Sequence, residues 1–132
     1  MRLLLDTHVV FWAVMASSNL SPIARAALED VGSEVVVSVV SAWEIAIKVG
    51  LGKWPEAAGL IANFETETTN AEFDMLQITI AHVRTAGLMQ SPHRDPFDRL
   101  LAAQARIEGL TLVTADAKAQ NLVEALGAQW LW

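Results

Sequence analysis

Short apolar runs that end at polar residues mark the predicted strands. Residues 3–5, 35–37 and 110–113 are such runs, made mostly of leucine and valine. Their length and the polar residues that bound them are typical of buried strands in a parallel sheet. Less regular patterns predict a further strand over residues 73–78 and a last edge strand over residues 128–132.

Helical signals fill the segments between these strands. The predicted helices cover residues 23–31, 41–49, 79–88 and 96–107. Ser21 before Pro22 is a typical helix start, and glycines follow three of these helices. The polar, threonine-rich stretch 65–70 predicts a loop. Because strands alternate with helices, we expect an α/β fold with a short parallel sheet of four to five strands and helices on both faces.

Composition limits this fold to one domain over residues 1–132. Hydrophobic residues make up 53% of the chain and charged residues 18%, which excludes a disordered tail or a charged coiled coil. With no cysteine, the chain has no disulfide, thiolate metal site or cysteine nucleophile. The apolar runs 3–5 and 9–16 are too short for a signal peptide or a membrane span, so we expect a cytoplasmic protein that does not enter a membrane.

Four acidic residues stand where an open parallel sheet binds ligands, beyond the carboxyl ends of its strands. Asp6 follows the first strand, and Asp116 follows the strand that ends near residue 113. Glu44 lies in the first turns of the helix after the second strand, and Asp98 lies in the first turn of the helix that Asp95 opens. We therefore expect the four side chains to project toward one rim.

Four carboxylates at one rim call for a cation. Without one, each close pair would repel by about 4 kcal/mol at an effective dielectric constant near 20. The predicted ligands are all oxygen atoms, and the chain has neither a cysteine nor a pair of histidines at metal-binding spacing. This donor set favours Mg²⁺ or Mn²⁺ over zinc.

Ordinary structural roles also explain each of these acids. Asp6 and Asp116 can cap the segments that follow them. Glu44 precedes Lys48 by four residues, the favourable order for a helical ion pair of about 0.3 to 0.5 kcal/mol. The apolar neighbours of Glu44 argue against a simple solvated helix face.

The start of the last long helix has its own structural explanation, because Asp95, Pro96 and Asp98 resemble an N-cap followed by an acid in the first turn. If Asp98 only caps the helix, its replacement by alanine should cost about 0.5 to 2 kcal/mol. If Asp98 belongs to a repelling cluster, Asp98→Asn should instead stabilise the metal-free protein. The two explanations predict opposite signs.

Other polar residues give weaker indications. His8, His82 and His93 have no metal-binding spacing, and His93, the one nearest the acids, receives no catalytic role. Four basic residues border the predicted rim and could hold phosphates, although solvated surface charges explain them equally. These are Lys48, Lys53, Arg94 and Arg99.

Aromatic and apolar residues are unusually concentrated near the start of the chain. Residues 9–14 are apolar on every side of a short helix, which predicts burial against a second chain. Five tryptophans are many for this length, and core or edge packing explains most of them. They are Trp12, Trp43, Trp54, Trp130 and Trp132.

Four sequence blocks resemble those of PIN-domain proteins, in the same order. They are residues 4–8 together with Trp12, then residues 38–45, 95–105 and 112–116. Each block alone is a weak signal, but the four in order span nearly the whole chain. The resemblance is closest to the VapC-type toxins of bacterial type II toxin–antitoxin modules.

The resemblance implies a Mg²⁺- or Mn²⁺-dependent ribonuclease whose metal ligands and catalytic residues are Asp6, Glu44, Asp98 and Asp116. Asp6 and Asp98 would be the central ligands, Glu44 would complete the site or orient the attacking water, and Asp116 would be an outer ligand. Small hydroxyl residues would bind carboxylates or waters around them. These match Thr7, Ser38 and Thr114.

The same resemblance implies partners. They are an RNA substrate, a second copy of the chain in a homodimer, and a cognate VapB-type antitoxin that occupies an apolar groove and blocks the acidic site. The first helix and the tryptophans are candidate contact surfaces for that antitoxin. The role of Asp95 stays open, as do the RNA that is cut and the number of ions.

An endoribonuclease that uses metal-activated water is the leading hypothesis, and the net charge of −6 is the main objection to it. A phosphatase of the haloacid dehalogenase type is improbable, because His8 stands where its nucleophile motif needs an acid. A small-molecule phosphodiesterase stays open. The non-enzymatic alternative is an interaction module whose acidic rim and apolar helices bind a partner protein.

Overall fold

Five parallel strands form one sheet in the order β3-β2-β1-β4-β5, in a computed structural model that describes residues 1–132. The strand that comes first in the chain is therefore central, and β5 is an edge strand as predicted. The strands are β1 (Arg2–Leu5), β2 (Glu34–Ser38), β3 (Asp74–Leu76), β4 (Thr111–Val113) and β5 (Gln129–Leu131). The predicted α/β fold with a parallel sheet is confirmed.

Eight α-helices connect and cover these strands. They are α1 (Thr7–Val14), α2 (Pro22–Glu29), α3 (Val39–Gly50), α4 (Ala58–Ala62), α5 (Phe64–Asn70), α6 (Ile80–Leu88), α7 (Pro96–Glu108) and α8 (Ala117–Ala125). A single 3₁₀ turn, Pro55–Ala57, precedes α4. None of the helices combines the length and the apolar character that crossing a bilayer requires.

Alternate side chains of β1 serve two separate hydrophobic cores, because successive residues of a strand point to opposite faces of the sheet. Leu4 packs with residues of α6, α7 and α8 on one face. Leu3 and Leu5 pack on the other face with residues of α1, α2, α4 and α5 and the middle of α3. All three leucines are fully buried, so β1 holds both layers of helices to the sheet.

The prediction of a loop over residues 65–70 is wrong, because α5 covers this stretch. Two of its residues, Phe64 and Thr68, are buried one helical turn apart. The Thr68 hydroxyl donates to the Phe64 carbonyl oxygen at 2.8 Å, which satisfies it within the helix. Packing of this one face outweighs the poor helix propensity of threonine and asparagine.

Helix α1 is covered in part from within its own chain, and the expectation that residues 9–14 are buried against a second chain stays a prediction for residues 11–14. Val9 and Val10 are fully buried in the core that contains Leu3 and Leu5. The next four residues are half-buried against the same core. The core of the same chain therefore accounts for the apolar character of Val9 and Val10.

The end of α7 depends on a glycine. Gly109 caps the helix with φ 65°, in the left-handed region that side chains with a Cβ atom rarely adopt. A Cβ at this position would meet nothing closer than the Arg2 guanidinium at 3.9 Å. The constraint on this residue is thus the backbone angle rather than space.

We expect Gly109→Ala to lower the free energy of unfolding by about 1 to 2 kcal/mol, the cost of the left-handed conformation. Gly50→Ala is the matched control, since Gly50 ends α3 with a negative φ and open space around it. That control should leave stability unchanged or raise it by up to about 1 kcal/mol. Equal losses for both variants in urea denaturation would contradict this account.

Candidate active site

A cavity of about 410 Å³ opens beyond the carboxyl ends of β1 and β4. The structure brings all four predicted acids together there, and adds a fifth. The lining residues are Asp6, His8, Trp12, Glu44, Lys48, Asp95, Asp98, Ala115 and Asp116. We call this cavity the acidic pocket.

Asp6 caps a helix and faces the acidic pocket at the same time. One carboxylate oxygen accepts the His8 backbone N–H at 2.9 Å, which caps α1. The other accepts the Thr114 hydroxyl at 2.5 Å. Burial raises the pKa of Asp6 above its usual value, although the hydrogen bonds from Thr114 and His8 act in the opposite direction. The capping explanation is therefore correct but incomplete.

Glu44 is buried at the wall of the acidic pocket and has a partner for each oxygen. Lys48 donates to Oε2 at 2.6 Å, and the Thr7 hydroxyl donates to Oε1 at 2.7 Å. The Thr7 hydroxyl also lies 3.1 Å from the Ser41 hydroxyl. The predicted pair of Glu44 and Lys48 thus exists, but burial of the carboxylate makes it more than a surface ion pair.

Asp98 does not cap α7. Asp95 makes both capping bonds, since its Oδ1 accepts the backbone N–H groups of Phe97 at 2.9 Å and Asp98 at 3.2 Å. The Asp98 carboxylate instead lies against the His93 ring. The pKa of Asp98 is raised to about 6. Burial is the largest cause, the charges of Asp95, Asp6 and Asp116 act in the same direction, and the bond to His93 acts against them.

His93 is the site residue that sequence reasoning missed. Its Nε2 atom lies 2.7 Å from Asp98 Oδ2, and both side chains are largely buried. No motif signals this contact, because His93 belongs to the irregular segment between α6 and α7. A histidine five residues before a candidate ligand was the only sequence clue.

Arg99 fixes that irregular segment and is not free to hold a phosphate. Its guanidinium donates to four backbone carbonyl oxygens at 2.8 to 3.1 Å. These belong to Ala86, Met89, Ser91 and His93. Arg99 thereby ties the end of α6 to the segment that carries His93 against Asp98.

The other predicted residues divide between the pocket and the surface. Asp116 is exposed and caps α8 by accepting the Lys118 backbone N–H at 2.8 Å. Ser38 caps α3 through Val40 and contacts no carboxylate, unlike Thr7 and Thr114. Two further residues are exposed and do not line the acidic pocket. They are Lys53 and Arg94.

The donor chemistry of the acidic pocket fits a hard divalent cation. Five carboxylates face one lysine there, and burial disfavours the charged form of both Asp6 and Asp98. The side chains as placed form no ready-made group of three or more ligands for one ion. A bound cation would therefore require rotation of carboxylates away from present partners such as Lys48 and His93.

Comparisons with known proteins agree with this fold. The sequence model of the PIN domain matches residues 3–124. Ribonuclease VapC22 of Mycobacterium tuberculosis is 30% identical over 129 residues, with 89% of each chain covered.

Two solved structures share the fold at low sequence identity. VapBC2 from Rickettsia felis, bound to a promoter DNA fragment, is similar with a TM-score of 0.64 at 16% identity, covering 99% of this chain and 98% of the other. VapBC-1 from nontypeable Haemophilus influenzae has a TM-score of 0.61 at 18% identity, covering 99% and 97%.

The raised pKa of Asp98 predicts how stability depends on pH in chelator. A carboxyl whose pKa rises from 3.8 to about 6 on folding favours the folded state below pH 4, and this contribution is lost as pH rises through 6. Asp98→Asn should therefore stabilise the metal-free protein at pH 7.5 by on the order of 2 kcal/mol. At pH 4 the difference should be much smaller.

Urea denaturation of both proteins in chelator, from pH 4 to 7.5, measures this difference. Asp74→Asn is the matched control, because Asp74 is exposed on β3 and makes no side-chain hydrogen bond. A variant at position 98 that is less stable than wild type at pH 7.5 would refute the account of Asp98 as a strained carboxylate.

Proposed function

The chain belongs to the PIN-domain family, and from this premise we propose that it is a Mg²⁺- or Mn²⁺-dependent endoribonuclease, the toxin of a type II toxin–antitoxin pair. The observation that carries the proposal is the acidic pocket, where Asp6, Glu44, Asp98 and Asp116 meet. The 30% identity to a protein named as a ribonuclease supports the same activity. We place this activity in the cytoplasm, where the RNA substrate and an antitoxin would be found.

Asp6 and Asp98 are the proposed central ligands. In the metal-free pocket the Thr114 hydroxyl holds Asp6 and His93 holds Asp98, and binding a cation would require the Asp98 carboxylate to turn away from His93. When bound, the divalent cation would neutralise the scissile phosphate and lower the pKa of the attacking water. Asp116, which is exposed at the mouth of the pocket, would serve as an outer ligand.

Glu44 is proposed to orient the attacking water or to complete the ligand set. The Thr7 hydroxyl fixes one of its oxygens, and the Lys48 ammonium neutralises its charge through the other. Lys48 thus stabilises the metal-free pocket.

The net charge of −6 does not oppose this activity. When the four proposed ligands are set aside, eleven acidic residues remain against nine basic ones, which is an ordinary surface. We therefore expect RNA affinity to be modest and to depend on the cation.

Stability and cleavage together test the metal-dependent activity. A Mn²⁺ concentration tenfold above the dissociation constant should stabilise wild type by about 1.4 kcal/mol, which is a rise of several degrees in Tm. Asp6→Asn should lose this shift and also lose cleavage of a broad RNA panel. The asparagine can still cap α1, so the variant should fold. Asp74→Asn is the control that should retain both properties.

Two results would redirect this proposal. The absence of a Tm shift and of cleavage in wild type would favour the interaction module, with the acids acting as caps and ion pairs. Efficient hydrolysis of model phosphodiesters that compete with RNA would favour a small-molecule phosphodiesterase.

The proposed antitoxin is of VapB type, and a groove beside the acidic pocket suits it. A second cavity of about 540 Å³ lies between α6 and the start of α7. Arg94 and Pro96 line this groove, whereas Asp95 and Asp98 line the acidic pocket. Because the start of α7 separates the two cavities, a peptide seated in the groove can extend over the acids. Val83 supplies an exposed apolar wall to the groove.

Co-purification with the small protein encoded by a neighbouring gene tests this partner. A stable complex that no longer cleaves RNA is expected, and Val83→Asp should weaken it at least tenfold. Val31→Asp is the matched control, since Val31 is fully exposed in a turn away from the groove. If both variants bind the antitoxin equally weakly, the groove is not its binding site. The proposed homodimer is measured separately, by sedimentation equilibrium of the isolated chain.

A further inference from the structure

An array of aromatic rings forms one side of the acidic pocket. The His8 ring stacks on Trp54, with centroids 4.7 Å apart and planes at 27°. The Trp12 ring is tilted against His8 at 5.9 Å and against Trp132 at 5.7 Å. We call the rings of His8, Trp12 and Trp54 the aromatic rim. Of these, His8 and Trp12 line the same cavity as the proposed metal ligands.

The His8 side chain has no visible role in folding. Only its backbone N–H takes part in capping α1, and its ring makes no hydrogen bond or ion pair. The residue is exposed in the first turn of α1, yet stacking on Trp54 holds the ring in place. A flat, fixed and accessible ring beside a catalytic pocket is suited to binding another flat ring.

Neither Lys48 nor Arg99 is free to bind a phosphate of RNA. Lys48, the single basic residue in the pocket apart from His8, is already paired with Glu44 and lies 5.8 Å from the centre of the Trp54 ring. The Arg99 guanidinium donates its hydrogen bonds to backbone carbonyl oxygens. The basic side chains of the pocket are therefore a weak source of binding energy for a phosphate, and base stacking, which does not depend on charge, can add to it.

We infer that the aromatic rim is a base-stacking subsite, in which His8 and Trp12 hold an unpaired nucleobase next to the scissile phosphate. This inference rests on the proposed ribonuclease activity. One ribose joins a phosphate to its base, so a phosphate held by a cation at Asp6 and Asp98 would bring that base to the neighbouring rings. A base in a duplex is stacked within its own helix and cannot reach them.

Binding of three RNA probes tests the subsite. The probes are a labelled 12-nucleotide oligouridylate, its abasic counterpart and its duplex with oligoadenylate. Fluorescence anisotropy is measured in Ca²⁺, which keeps a divalent charge in the pocket while slowing hydrolysis. Wild type should bind the oligouridylate at least about tenfold more tightly than either other probe.

His8→Ala should lose about tenfold in affinity for the oligouridylate and nothing for the abasic probe. His8→Phe, which retains a ring, should bind within about twofold of wild type. Trp12→Leu should also lose affinity, and Trp130→Leu is its matched control because Trp130 is exposed on β5 outside the rim and the pocket. Because His8 is exposed, its variants should fold normally. They test the subsite even if Trp12→Leu has a folding defect.

The outcomes separate this inference from the activity on which it rests. If wild type cleaves RNA in Mn²⁺ but binds the abasic probe as well as the oligouridylate, the subsite is wrong and the ribonuclease stands. If wild type neither binds nor cleaves RNA, the base-stacking subsite and the ribonuclease activity are both wrong. If His8→Ala leaves RNA binding intact but weakens the complex with the antitoxin, the rim is a protein contact and the inference is overturned.

Discussion

Crowding of five carboxylates around one small pocket is the constraint on which the rest of the structure depends. Lys48 is the only lysine or arginine that lines the pocket. Burial and repulsion by neighbouring carboxylates raise the pKa of Asp98 from 3.8 to about 6. The fold therefore maintains an arrangement that is unfavourable without a cation. Such stored electrostatic strain is common where a site must bind a positive ion or stabilise charge during a reaction.

The protein contains this repulsion with a small set of neutral and cationic partners. Threonine hydroxyls donate to Asp6 and Glu44, Lys48 neutralises Glu44, and His93 lies against Asp98. Helix N-termini add to these, since three of the five acids in the pocket cap a helix and so accept backbone N–H groups. Capping and site chemistry are thus performed by the same side chains, and neither explanation excludes the other.

Local patterns were sufficient for the strands and for the acids that follow them, because an apolar run and the residue after it are adjacent in sequence. The contact of Thr114 with Asp6 joins residues 108 positions apart and follows from the pairing of β1 with β4, which no local pattern contains. His93 depends on Arg99 and the segment that it ties down. Helix α5 was missed because burial of two residues, rather than propensity, determines it.

The central position of β1 has a consequence for biosynthesis. Leu3 pairs with Thr111, and the acids of the pocket come from both ends of the chain, from Asp6 to Asp116. A nascent chain that lacks its last quarter has neither β4 nor the Thr114 hydroxyl, and so cannot assemble the pocket. Assembly of the acidic pocket therefore has to wait until β4 and the residues that follow it have been synthesised.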